Sequence, residues 1–156
     1  MNELNIDENF LKVVEVSKKA SEKKKTNVIA LELPKGKIIT GKQTDLLSPA
    51  SSVIINAIKE LSKIPDDINL LSPTILEPIL KLRKNNNTLS LQEVLIALAV
   101  CSVTNPSIAS ALEKLEVLKD CEAHATYIVT NGDLKALKSL KINLTCEPNF
   151  YSKEIM

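Results

Sequence analysis

Apolar residues recur along this chain in two rhythms, roughly every second residue in some stretches and every three to four in others. From Asp7 to about Lys24, Phe10, Leu11, Val13, Val14 and Val16 give way to charge, the pattern of a helix with a polar far end. Asn27-Val-Ile-Ala-Leu-Glu-Leu33 and Ile38-Ile-Thr-Gly41 are rich in β-branched residues and flank Pro34-Lys-Gly-Lys37. They predict a β-hairpin in which Gly36 takes the positive φ of the turn.

The tetrapeptide Leu-Leu-Ser-Pro then occurs twice, at Leu46–Pro49 and at Leu70–Pro73, each time ahead of a helical pattern. Serine caps orphan N–H groups and proline suits the first helical position, so both copies predict helix starts. Ile68 to Leu71 reads as a short strand feeding the second helix, which Pro78 should bend. Ser90-Leu-Gln-Glu93 is a capping box opening a helix from Val94 to Val103. That run is apolar nearly all round, which predicts a central, buried helix. Asn105-Pro106 starts another helix, to about Leu118. A strand from Ala123 to Val129, a turn and cap at Asn131-Gly-Asp133, a helix from Leu134 to Leu140 and a strand from Ile142 to Thr145 complete the pattern. The order α-β-β-α-β-α-α-α-β-α-β predicts an α/β fold, three-layer α-β-α, with a mixed sheet begun by the hairpin.

Composition narrows the function. At 156 residues the chain is long enough for one real core, built without Trp and with aromatics at only 3%. Twenty basic against nineteen acidic residues leave no broad cationic face for a phosphate backbone, so no nucleic-acid partner is expected. The run Lys18 to Lys25 is read as a solvated helix end. No apolar stretch is long enough to cross a bilayer and no cleavable leader is apparent, so neither a membrane nor secretion is expected. Cys101, Cys121 and Cys146 are an odd, irregular set, consistent with reduced thiols in a cytoplasmic protein.

The one histidine, His124, stands in Asp120-Cys-Glu-Ala-His-Ala-Thr. Cys121, Glu122 and His124 are therefore the weak candidates for catalysis or for ligating a metal. Along a strand, however, residues three apart face opposite ways, so Cys121 and His124 converge only if Cys121 lies in the preceding loop. A structural zinc site needs four ligands, and only Cys101 and Cys146 remain to supply them. We prefer packed cysteines and a hydrogen-bonded histidine, and assign no metal and no cofactor. Glu77 serves either a helix dipole or His124. For ligands, helix N-termini near strand ends attract anions. Lys42, Ser48, Ser51 and Ser52 around the first Leu-Leu-Ser-Pro start, Ser72 at the second and Asn105 at the next cap are the candidate binding residues.

The segments "ELPKGKIITGKQTDLL", "IPDDINLLSPTILEPI", "LQEVLIALAVCSVTNP" and "CEAHATYIVTNGDLKALKSLKINLTCEP" together resemble the C-terminal part of a bacterial family known as domain of unknown function 1846. The resemblance covers roughly Asn27 to Tyr151. It implies longer family proteins whose N-terminal portion holds a Gly-rich phosphate-binding loop, absent from this chain. We therefore expect an N-terminal helix and linker over 1–26 and the family's C-terminal domain over 27–156. The hairpin–helix–strand order also resembles the cytidine-deaminase-like fold, without its zinc motifs. Two functions are open. One is an auxiliary, non-catalytic domain that supports or oligomerises with a nucleotide-binding portion, whether that portion or a second copy is the partner. The other is half of a composite active site, or a small-anion binding site, in a nucleotide-dependent enzyme, with His124, Glu122, Ser72 and Asn105 lining a cleft against the missing portion.

Overall fold

The computed structural model describes residues 14–16, 18–19, 27–34, 36–44, 46–65, 70–71, 73–82, 88–127 and 129–146. Strands β1 (Val28–Glu32) and β2 (Ile38–Lys42) form the expected hairpin. Its turn closes through Leu33 N–H to Lys37 O at 2.7 Å and Gly36 N–H to Leu33 O at 2.8 Å, with Gly36 at φ +87°. β3 (Glu122–Ala125) and β4 (Asn143–Cys146) complete a four-stranded sheet in the order β2-β1-β3-β4. β1 is antiparallel to both of its neighbours, and β3 and β4 are parallel. Hence β2, β3 and β4 run one way and β1 runs against them, a mixed sheet as expected.

The helices are α1 (Pro49–Leu61), α2 (Pro73–Leu82), α3 (Leu91–Ser102), α4 (Pro106–Glu113), which tightens into a 3-10 segment over Lys114–Leu118, and α5 (Asn131–Ser139). Each cap but that of α2 is visible. Ser48 Oγ accepts from Ser51 N–H, Ser90 and Glu93 form a full capping box, and Asn105 Oδ1 accepts from Ser107 and Ile108. α5 begins earlier than expected, because Thr130 rather than the Asn131-Gly-Asp133 turn provides its cap. Asp133, only 2% exposed, instead accepts from Leu91 N–H at 2.8 Å and so ties the first turn of α5 to the start of α3.

Period-two alternation decides which face the helices cover. Ile29 and Leu31 from β1 and Ala123 and Ala125 from β3 join Val53, Ile54, Ala57 and Ile58 of α1 in one apolar core. The opposite face carries the row Thr40, Ala30, His124, Thr145, matched across all four strands. Gly41 lies on the helix-covered face, opposite Ile29 in register. A Cβ placed there would stand 2.1 Å from Val53 N, so α1 approaches β2 with backbone against backbone.

Several expectations need correction. α3 is not wholly buried: Leu91, Val94, Ala97 and Leu98 face the core, but Ile96, Val100 and Val103 are 59%, 67% and 83% exposed. A helix packed on one side has an outer face whatever its composition. β3 stops at Ala125 because Thr126 replaces the backbone ladder. Its hydroxyl receives Val28 N–H at 3.1 Å, while its own N–H donates to Val28 O at 2.9 Å. Of the expected strand at Ile68–Leu71, the described Leu70 and Leu71 bend and pack into the core without pairing. Burial, not a ladder, explains their apolar character. Pro78 sits inside α2 without ending it. Val14–Val16 and Lys18–Lys19 are helical, and the exposed Lys19 pairs with Glu15 at 3.0 Å. Phe10, the remaining lysines of that run and the tail from Pro148 lie outside the described residues.

Gly41→Ala should destabilise the domain by at least the 1–3 kcal/mol typical of overpacking, since the obstacle is backbone that cannot turn aside. Gly132→Ala, with nothing within 4 Å of the added methyl, should be neutral or slightly stabilising. Urea melts of the two variants against the parent check both expectations.

Candidate functional site

β3 sets the geometry of the Cys-Glu-Ala-His stretch. Glu122 and His124 point to one face and Ala123 to the other, while Cys121 packs into the helix-side core with Ala123. The cysteine and the histidine are thus placed on opposite sides of the sheet. His124 is 4% exposed, and its Nδ1 lies 2.7 Å from Thr145 Oγ1, its cross-strand partner in register. Thr145 in turn donates to Ala123 O at 3.3 Å. The tautomer of the imidazole decides which of Nδ1 and Oγ1 donates in that bond. The histidine is held as a sheet residue by this relay.

Cys121 and Glu122 have a second neighbourhood. With Glu32, Asp120 and Lys119 they line an open cavity of about 290 Å³ at the end of β1 and β3. Glu32 and Glu122 come together there because they are the next positions after the paired Leu31 and Ala123. Asp120 is placed by a left-handed turn, φ +67°, and by its N–H on Lys141 O at 2.7 Å. Asn143 Nδ2 donates to Glu122 Oε1 at 3.4 Å. In this setting the Cys121 thiol is pushed above its ordinary value of 9.0, chiefly by burial and then by Glu32, Asp120 and Glu122. Its Sγ donates to Val117 O at 3.7 Å. A thiol kept protonated beside carboxylates is a poor nucleophile. Among the described residues, no three His, Cys, Asp or Glu side chains gather in a way that could hold a metal ion.

The predicted anion-binding residues divide. Ser48 caps α1, and Ser51, fully buried, donates to Leu89 O at 3.0 Å. Leu89 also bridges Leu47, with Leu89 N–H on Leu46 O at 2.8 Å and Ser48 N–H on Leu89 O at 3.1 Å, so chain rather than solvent covers this helix start. Asn105 is exposed and occupied by its two cap bonds. Glu77 is exposed on α2, and Ser72 lies outside the described residues. Ser52 and Lys42, by contrast, line one cavity together with Asn56 and Lys59. Sequence reading missed Asn56 and Lys59, although their spacing of four and seven from Ser52 puts all three on one helix face.

An α/β domain built on a four-stranded mixed sheet is the class these features define. The chain belongs to the family described as domain of unknown function DUF1846, C-terminal, whose model matches residues 9–156. It is 39% identical over 168 aligned residues to a UPF0371 protein of Clostridium tetani (strain Massachusetts / E88), 42% to one of Clostridioides difficile (strain 630) and 44% to one of Clostridium botulinum (strain Eklund 17B / Type B). Each alignment takes in 99% of this chain but 34% of the relative, so the chain spans about a third of the length of these relatives. None of the described helices is long and apolar enough to cross a membrane.

His124→Ala should cost about 1–3 kcal/mol, the usual result of losing a buried hydrogen-bonding group, here the imidazole bonded to Thr145. Its urea midpoint relative to the parent measures this. The raised Cys121 pKa fixes a second expectation. The stability this group contributes is complete below 9.0, its ordinary value, and is lost as pH rises through the higher folded value. Cys121→Ala should therefore flatten the alkaline fall in stability, which paired melts between about pH 8 and pH 11 will show.

Proposed function

We propose that this chain is an auxiliary, non-catalytic α/β domain that docks through the outer face of α3 onto the further portion present in its longer relatives. The observation that carries this reading is the exposure of Ile96, Val100 and Val103 along one side of α3. Spaced by four and three, they form one stripe, and no charged residue occurs from Val94 to Leu112. Monomeric proteins rarely leave a contiguous apolar patch of that kind uncovered. The relatives supply an occupant, because nearly two thirds of their length lies outside the alignment. Under this reading His124 is structural, and what supports that is its burial and its bond to Thr145. We also read the fold as deaminase-like without zinc chemistry, on the support of a hairpin-first mixed sheet whose later strands are joined through helices. A cytoplasmic setting fits the free Cys101 and Cys121.

The test is association in solution. The chain is mixed with the separately expressed remainder of the Clostridium tetani relative and sedimented, with an Ile96→Lys, Val100→Lys double variant alongside. A complex is expected for the parent and at least a tenfold weaker one for the variant, while the variant's melt shifts by less than about 0.5 kcal/mol because both positions are exposed. A complex that the double variant leaves intact, or a homodimer of the chain that the remainder cannot displace, would sink the docking reading.

A further inference from the structure

We propose that the element seated on the outer face of α3 is a single α-helix of the further portion, laid along α3 through an apolar seam with uncharged flanks. This rests on the docking reading above and names the kind of partner that the face takes. Ile96 and Val103 stand one heptad apart with Val100 between them, the four-then-three spacing of a helix–helix seam. Val103, the C-cap of α3, keeps helical dihedrals (φ −60°, ψ −36°), so the periodicity runs through to it. At about 100° per residue the three fall within an arc of roughly 60°. The four α1 residues packed with the sheet, Val53, Ile54, Ala57 and Ile58, spread over about 140° by the same count. A sheet therefore takes a broad helix face, whereas the seam on α3 has the width of one helix ridge.

The surroundings of the seam fit the same partner. All three residues are β-branched, so each is held to few rotamers on a helix and loses little freedom when covered. Ala99, exposed beside the seam, leaves room for a second axis at about 8–10 Å, the spacing of packed helices. From Val94 to Leu112 there is no charged side chain to answer a charge on the partner. The acidic residue just ahead, Glu93, accepts from Ser90 N–H at 2.9 Å within the capping box. The partner helix must then be uncharged on both flanks of its own seam, because a charge covered there without a counter-charge is costly. α3 is set to receive it in one pose. Leu91 N–H on Asp133 at 2.8 Å fastens its first turn, and Asn105 N–H on Cys101 O at 3.0 Å closes its last. The ridge from Ile96 to Val103 is about 10 Å long, two turns of helix.

Photo-crosslinking reads the partner's periodicity directly. Three versions of the 156-residue chain carry Ile96→p-benzoylphenylalanine, Val100→p-benzoylphenylalanine or Val103→p-benzoylphenylalanine, all at exposed positions. Each is mixed with the separately expressed remainder of the Clostridium tetani relative and irradiated, and the joined residues are identified by mass spectrometry. All three should join one segment of about a dozen residues, at positions three, four or seven apart that advance in one direction. Joined residues two apart, as in a strand, or scattered over separate segments, overturn the helix and leave docking on α3 in place. If none of the three joins the remainder, the docking reading falls and this inference with it. Ala99→Trp gives a second measurement. At an exposed position it should leave the chain's own melt unchanged, yet weaken the complex about tenfold, because a helix axis that close leaves no room for an indole. Undiminished binding by that variant also overturns the helix.

Discussion

A hydrogen at Gly41 is what allows helix α1 to rest on strand β2 with Val53 N within about a bond's reach of where a Cβ would be, 2.1 Å away. Most of the domain's geometry follows from that approach. It brings Val53, Ile54, Ala57 and Ile58 down onto Ile29 and Leu31, so the central helix meets the sheet along its length. The close seat also puts the flank of Ser52, Asn56 and Lys59 beside the end of β2, where Lys42 projects. A larger side chain at position 41 would lift the helix, loosen the core and remove the cavity together. No positive φ is involved at Gly41; the requirement is for space alone.

A second tie holds the far side. Asp133, buried in the first turn of α5, accepts from the N–H of Leu91 at the start of α3, and places negative charge near the positive ends of two helices at once. The Ser90–Glu93 box completes the cap of α3 from within, so this helix begins at one defined place with one inner face. With its orientation fixed in that way, Ile96, Val100 and Val103 are presented outward. A mobile helix could roll such residues inward; one fastened at its N-terminus by a buried carboxylate has less freedom to do so.

The elements that were legible in the sequence are those governed by local chemistry. The hairpin with Gly36, the Ser48-Pro49 and Asn105-Pro106 starts and the capping box at Ser90 each depend on residues within about four positions of one another. The misreadings were all matters of tertiary context. Asp133 looked like part of a local turn, but its partner is 42 residues away at Leu91. The strand around His124 looked longer than it is, because the alternation past Ala125 gives no sign that Thr126 will bond to Val28, 98 residues distant. Leu70 and Leu71 had the apolar character of a strand, yet periodicity cannot separate a short strand from a buried bend. For the site, Cys121 lies in the loop ahead of β3, where strand alternation does not decide its facing; its burial in the helix-side core is what parts it from His124. The pairing of His124 with Thr145 needed the parallel register of β3 and β4, which no local pattern encodes.

The span from Val94 to Leu112 carries no charged side chain. Read alone, nineteen consecutive residues without a charge imply a helix sunk in a core, and the inner residues Val94, Ala97 and Leu98 do occupy one. Burial within this chain accounts for that inner face only. Keeping Ile96, Val100 and Val103 apolar on the outside gains nothing for the isolated fold, since lysine or glutamate there would suit a solvated helix at least as well. An apolar outer face is a reason for a partner, and under the proposed docking that partner is the further portion found in the relatives, of whose length this chain spans 34%.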